Sequence, residues 1–142
     1  MTRALDIDLQ MHLRSIEATP MFRAEIQAAH RHVRFTFDGF WDEEAVGWFD
    51  EAVEQTIRAM NRSGVAYGRF RTLIDVRNAQ LLSQSVAERV AALAAEHAPA
   101  SDRIAILAGS TLQKIQYQRV AAQHEFQHFI SAREAINCLT AN

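Results

Sequence analysis

The run His124-Glu125-Phe126-Gln127-His128 has the spacing H-E-x-x-H, with which zinc hydrolases hold a metal through two imidazoles and set a glutamate to take a proton from the bound water. Whether these residues can do so depends on the backbone beneath them. On a helix, residues four apart share one face at about 6 Å, and both rings reach one ion. On a strand they share a face at roughly 13 Å, because each residue advances about 3.3 Å, and no single zinc bridges them. A third ligand is also needed. Residues 129–142 offer Glu134 as their single carboxylate side chain, and no spacing singles out His30, His32 or His97. Zinc hydrolysis is accordingly the third of three functional readings.

The other residues able to do chemistry fall into two groups. Asp75, Arg77 and Asn78 follow an apolar run, and Ser83 and Ser85 stand where a helix-periodic run begins. Loops after strands are where open α/β sheets place ligands. A hydroxyl at a helix start either caps the helix or, once phosphorylated, is favoured by the helix end. These five residues are the candidate regulatory or partner site. Phe40, Trp41, Trp48 and Phe49, joined by Tyr117 from a later segment, are the candidate apolar ligand site or interface. The adjacent Trp48 and Phe49 cannot both sit at the centre of one helical stripe, so the cluster divides between core packing and a pocket or dimer face. No Ser-His-Asp spacing occurs, and Gly64-Val65-Ala66-Tyr67-Gly68 lacks the Lys-Ser/Thr of a phosphate loop. No residue is assigned a catalytic or metal-binding role, and no cofactor is expected.

Composition narrows the partners. The 15 basic and 17 acidic residues leave a net charge of −2 with no block of like charge, which argues against a nucleic-acid groove or a polybasic membrane surface. The single Cys138 excludes an internal disulfide and suits a reducing compartment. No apolar run approaches the roughly 20 residues that span a bilayer, and the N-terminal stretch lacks the continuous apolar core of a signal peptide. A cytoplasmic protein without stable membrane insertion is expected.

The elements that must position these residues are legible as periodicities. Residues 5–13 alternate apolar and polar, so residues 1–20 are read as an N-terminal extension carrying an extra strand or helix. Phe22–Ala28 and Val33–Phe37 alternate about a turn at His30-Arg31-His32. After Asp42, an expected N-cap, the residues Ala45, Phe49, Val53, Ile57 and Met60 mark an amphipathic helix, with Glu54 and Arg58 spaced as an ion pair. The run FRTLIDVR is apolar enough for a central strand covered on both faces. Ser85 to Glu88 reads as a capping box opening a helix that ends near His97. A strand over Ile104–Ala108, a helix from Thr111 and a last helix over Ala132–Leu139, with Ala135, Ile136 and Leu139 inward, complete the order. Alternation of this kind implies a single α/β domain over 21–142. Its mixed sheet has about five strands, the later ones parallel, with helices packed on it.

This order, together with VRFTFDGFWDEEAVGWFDEAV, FRTLIDVR, RIAILAGS and EFQHFISAREAINCL, resembles the SpoIIAA-like, STAS-type domains, which are related in fold to the lipid-carrying Sec14 type. The likeness covers roughly residues 20–140 and places residues 125–130 on the final strand. It implies a non-enzymatic module that binds a protein partner or a ligand. Such domains can carry a phosphorylated Ser or Thr in a D-S-S-G-like run after the central strand. The matching stretch here, Leu81-Leu82-Ser83-Gln84-Ser85-Val86, keeps two hydroxyls but lacks the Asp and the Gly, and a one-residue shift puts Gln84 at the acceptor position. Cys138 stands where an aromatic residue is often found. The leading expectation is a regulatory or protein-interaction module in the bacterial cytoplasm, acting through a protein partner or as a homodimer. The alternative is a carrier of a small apolar ligand or lipid.

Overall fold

The computed structural model describes residues 13–18, 22–121 and 125–141. Six strands form one sheet in sequential order: β1 (Arg14–Ala18), β2 (Phe22–Gln27), β3 (His32–Gly39), β4 (Phe70–Ala79), β5 (Ser101–Leu107) and β6 (Gln127–Phe129). The first two pairings are antiparallel and the remaining three parallel. The mixed sheet with its later strands parallel is as expected, with six strands where about five were expected, and the alternation at residues 5–12 lies outside the described residues. The turn before β3 sits slightly earlier than expected. It is a 3₁₀ turn at Ala28–His30 closed by Arg31 in the left-handed region (φ 61°), so His32 already belongs to the strand.

Four helices connect the parallel part: α1 (Glu43–Arg62), α2 (Gln84–His97), α3 (Thr111–Val120) and α4 (Ala132–Thr140). Each starts on a side-chain cap that satisfies a backbone N–H left free at a helix end. Asp42 accepts from Ala45 N at 2.8 Å, Ser110 from Gln113 N at 3.1 Å and Ser131 from Glu134 N at 3.3 Å. For α2 the cap is Ser83, which accepts from Val86 N at 3.4 Å; Ser85 and Glu88 lie inside the helix, so the expected capping box is replaced by a single cap two residues earlier. The expected Glu54–Arg58 pair is not among the ion pairs of the described residues.

The sheet separates two cores. On one face the alternate residues of β2, β3 and β4, such as Ile26, Phe35 and Val76, meet α1 and the inner sides of α2 and α3. On the other, Leu73, Ala105 and Leu107 meet Ala132, Ala135, Ile136 and Leu139 of α4. Helix α4 is held at its C-terminus by two arginines of the sheet. Arg71 donates to the Leu139 and Ala141 carbonyls at 2.8 and 2.9 Å, and Arg103 to those of Cys138 and Ala141 at 2.7 and 2.6 Å. Those carbonyls have no partner within the helix, and cations are favoured at that end of its dipole.

Candidate functional site

An apolar cavity of about 100 Å³ lies between the sheet and helices α1, α2 and α3. Its walls follow from strand and helix period. Val33, Phe35 and Phe37 alternate along β3, while Val53, Thr56 and Ile57 lie together on α1 because residues three and four apart share a helix face. Thr72 and Ser101, the polar side chains of the sheet wall, satisfy each other at 2.7 Å. Phe49 of α1 is the hub of an aromatic cluster, standing nearly perpendicular to Phe35, Phe37 and Trp41 with ring centres 5.3, 5.0 and 5.8 Å away. Edge-to-face pairs of this kind add about 0.5–1.5 kcal/mol each to area burial.

One polar group in this wall is buried without a partner among the described residues, and a second keeps its proton. Trp41 is 5% exposed and its Nε1–H is buried without an acceptor. Tyr117 is 6% exposed, and burial pushes its phenol pKa well above the usual range, so the hydroxyl keeps its proton. An unmade hydrogen bond at a buried donor costs on the order of 1–3 kcal/mol. The cavity is therefore apolar with donor capacity in its lining. Of the five aromatic candidates, Trp41, Phe49 and Tyr117 line the cavity, whereas Phe40 and Trp48 are 56% and 39% exposed.

The first-named candidate group is divided in the same way. Asp75 is buried in β4 rather than displayed on a loop. Its carboxylate accepts from Arg77 Nη2 at 2.7 Å and Nε at 3.0 Å, and from the buried Arg34 at 3.4 Å. Arg34 approaches diagonally across the β3–β4 pairing, where Thr36 is the residue level with Asp75. Ser83 caps α2 and Ser85 is exposed, with Leu82 between Ser83 and the sheet held at both its N–H and its carbonyl by Gln116 of α3, each at 3.0 Å. Gln113 ties the end of β4 to α3 through the Val76 and Ala79 carbonyls and accepts from Gly109 N. These two glutamines were not found from the sequence, because nothing in their local pattern marks a long-range tether.

Residues 125–128 of the H-E-x-x-H run contain no helix; Gln127 and His128 belong to β6, and His124 lies outside the described residues. The helical platform that the zinc reading requires is missing there. His128 faces Lys114, and burial together with that ammonium holds its imidazole below its usual pKa. A different group has the chemistry to hold a cation. Asp50 of α1 and Glu96 and His97 of α2 bring one ligand atom each within 4.8 Å of one another, with His97 Nε2 already 2.8 Å from Asp50 Oδ1. Glu96 is exposed and the hydrogen bond accounts for the His97–Asp50 approach.

No helix among the described residues is long and apolar enough to cross a membrane. No protein-family model matches the chain, and no curated protein matches it. Among solved structures, the chain is similar to an uncharacterized protein of the DUF3478 family from Shewanella loihica PV-4, described as having a SpoIIAA-like fold. The two are 22% identical over 89% of this chain and 91% of that one, with a TM-score of 0.59. With its antiparallel strands leading into a parallel sheet and four helices packed on it, the chain has the SpoIIAA-like fold.

Proposed function

We propose that the protein is a non-catalytic module that encloses a small, mainly apolar molecule bearing one hydrogen-bond acceptor. The observation that carries this reading is the apolar cavity lined by Trp41, whose buried Nε1–H lacks a partner, and by Tyr117. An apolar cavity of roughly 150 Å³ binds benzene or xenon in other proteins. At about 100 Å³ this one takes a smaller guest as it stands, and a larger one requires a wall to move. Helix α2 is the wall with least anchorage, since Val86 is its one buried residue whereas α1 buries seven. Elements with few buried apolar contacts open at low free-energy cost. Native mass spectrometry of protein purified gently from cells tests the reading. A bound species of a few hundred daltons or less, extractable into organic solvent, supports it; protein of apo mass that also takes up no added apolar probe sinks it.

Association with a second protein is the other reading, and a separate observation favours it. Leu112 and Ile115, three residues apart on α3, are 63% and 40% exposed, and helical spacing puts them on one apolar face. A second copy of the chain is the simplest occupant. Sedimentation across a concentration series checks this, and a mass that stays monomeric throughout rules the homodimer out.

A further inference from the structure

Three arginines without an ion pair or side-chain hydrogen bond among the described residues converge on one open groove of about 420 Å³. Arg14 comes from the edge strand β1, and Arg58 and Arg62 from the C-terminal half of α1, with Gln55 and Ser15 between them. Elsewhere six arginines are engaged: Arg31 and Arg71 meet Asp102, Arg34 and Arg77 meet Asp75, Arg89 meets Glu43, and Arg103 caps α4. Arg23, Arg69, Arg119 and Arg133 also stand without an ion pair among the described residues, so what distinguishes the three in the groove is that they line it together. In the groove the spacing works against stability, because like charges four apart on a helix cost about 0.2–0.5 kcal/mol. The helix dipole accounts for Arg62, which stands in the last turn of α1. It does not account for Arg14, which is on another element, and its effect fades before Arg58.

We propose that this groove binds a phosphate group, held by the guanidinium groups of Arg14, Arg58 and Arg62 with the Gln55 amide as a further donor. The planar guanidinium fork matches the spacing of phosphate oxygens and can donate two parallel hydrogen bonds. No acidic side chain among the described residues lines the groove to compete for it. The site is separate from the apolar cavity and does not rest on that reading. α1 serves both, with Val53, Thr56 and Ile57 on the cavity and Gln55, Arg58 and Arg62 on the groove. The phosphate can belong to a soluble monoester or to a lipid head group, and the chemistry at the arginines is the same.

The test uses the full chain with two probes. Calorimetric titration with inorganic phosphate and with glycerol phosphate reads the soluble source. Co-sedimentation with phosphatidylcholine vesicles, with and without phosphatidylglycerol, reads the lipid source. Binding to either probe is expected, and it should weaken as salt is raised. Arg58→Ala combined with Arg62→Ala should lose roughly tenfold or more in affinity, and Arg14→Ala several-fold, at unchanged circular dichroism. Arg89→Ala, on α2 and paired with Glu43, should bind as the parent does. The proposal is overturned if the parent binds neither probe, or if the groove variants bind as tightly as Arg89→Ala.

Discussion

Replacing Ala94 by Leu puts three carbons into the space that the cavity leaves beside α2. If those carbons enter empty apolar volume, they gain about 0.8 kcal/mol each, or roughly 2.4 kcal/mol. Fixing the leucine rotamer returns about 0.5–1 kcal/mol of this. The net expectation is stabilisation of about 1.5 kcal/mol, visible as a urea midpoint shift at constant m value and as a rise of roughly 3–6 °C in Tm. The same substitution should abolish uptake of small apolar probes, since it occupies their volume. A filled core behaves in the opposite way, because an added side chain there costs typically 1–3 kcal/mol through displaced neighbours. The sign of the effect is therefore diagnostic, and a loss of 1 kcal/mol or more in Ala94→Leu would refute the cavity.

Asp75→Asn removes the carboxylate between Arg34 and Arg77 while keeping its shape; a loss of about 3–5 kcal/mol in chemical denaturation is expected, and a loss below 1 kcal/mol would show the pair to be dispensable. Gly109→Ala would set a Cβ 2.8 Å from the Arg77 carbonyl oxygen, so the β4 end must shift at a cost of about 1–3 kcal/mol, checked by urea denaturation. The His32 imidazole is lowered to about 4 by burial and by the neighbouring His30, Arg71 and Arg31. Its folded value lies below its unfolded one, so the unfolded chain binds the extra proton between pH 6.5 and about 4, and stability is lost as pH falls through that window. Up to about 3 kcal/mol should go there. His32→Gln should flatten that part of the pH–stability profile, and a slope unchanged by the substitution would remove His32 as its source.

Much of the architecture can be read along the chain because it is written in local period and local caps. Ala45, Val53 and Met60 are buried on α1 as their spacing requires, Asp42 caps the helix, and Ala135, Ile136 and Leu139 face inward on α4. What escaped the sequence depends on partners far away in it. Ser83 rather than Ser85 caps α2 because Gln116, more than thirty positions later, fixes the backbone at Leu82. Asp75 looks like a loop carboxylate until β3 brings Arg34 beside it. The aromatic cluster was visible as a group, yet its division into Trp41, Phe49 and Tyr117 on the cavity and Phe40 and Trp48 outside required the turn between β3 and α1. The H-E-x-x-H run shows the converse. Its spacing is locally complete, but Gln127–Phe129 pair with β5, and sheet pairing overrides the helical geometry the motif needs.

The chain has two tryptophans, so a ¹H–¹⁵N spectrum contains two indole signals, one from Trp41 in the cavity wall and one from the exposed Trp48. Titration with a small cyclic ketone, which offers an apolar body and one acceptor, probes the cavity and its buried indole donor together. The Trp41 signal alone should move, saturably, and should stop responding in Ala94→Leu. Two indole signals that drift together without saturation, or a Trp41 signal that does not move, would contradict it.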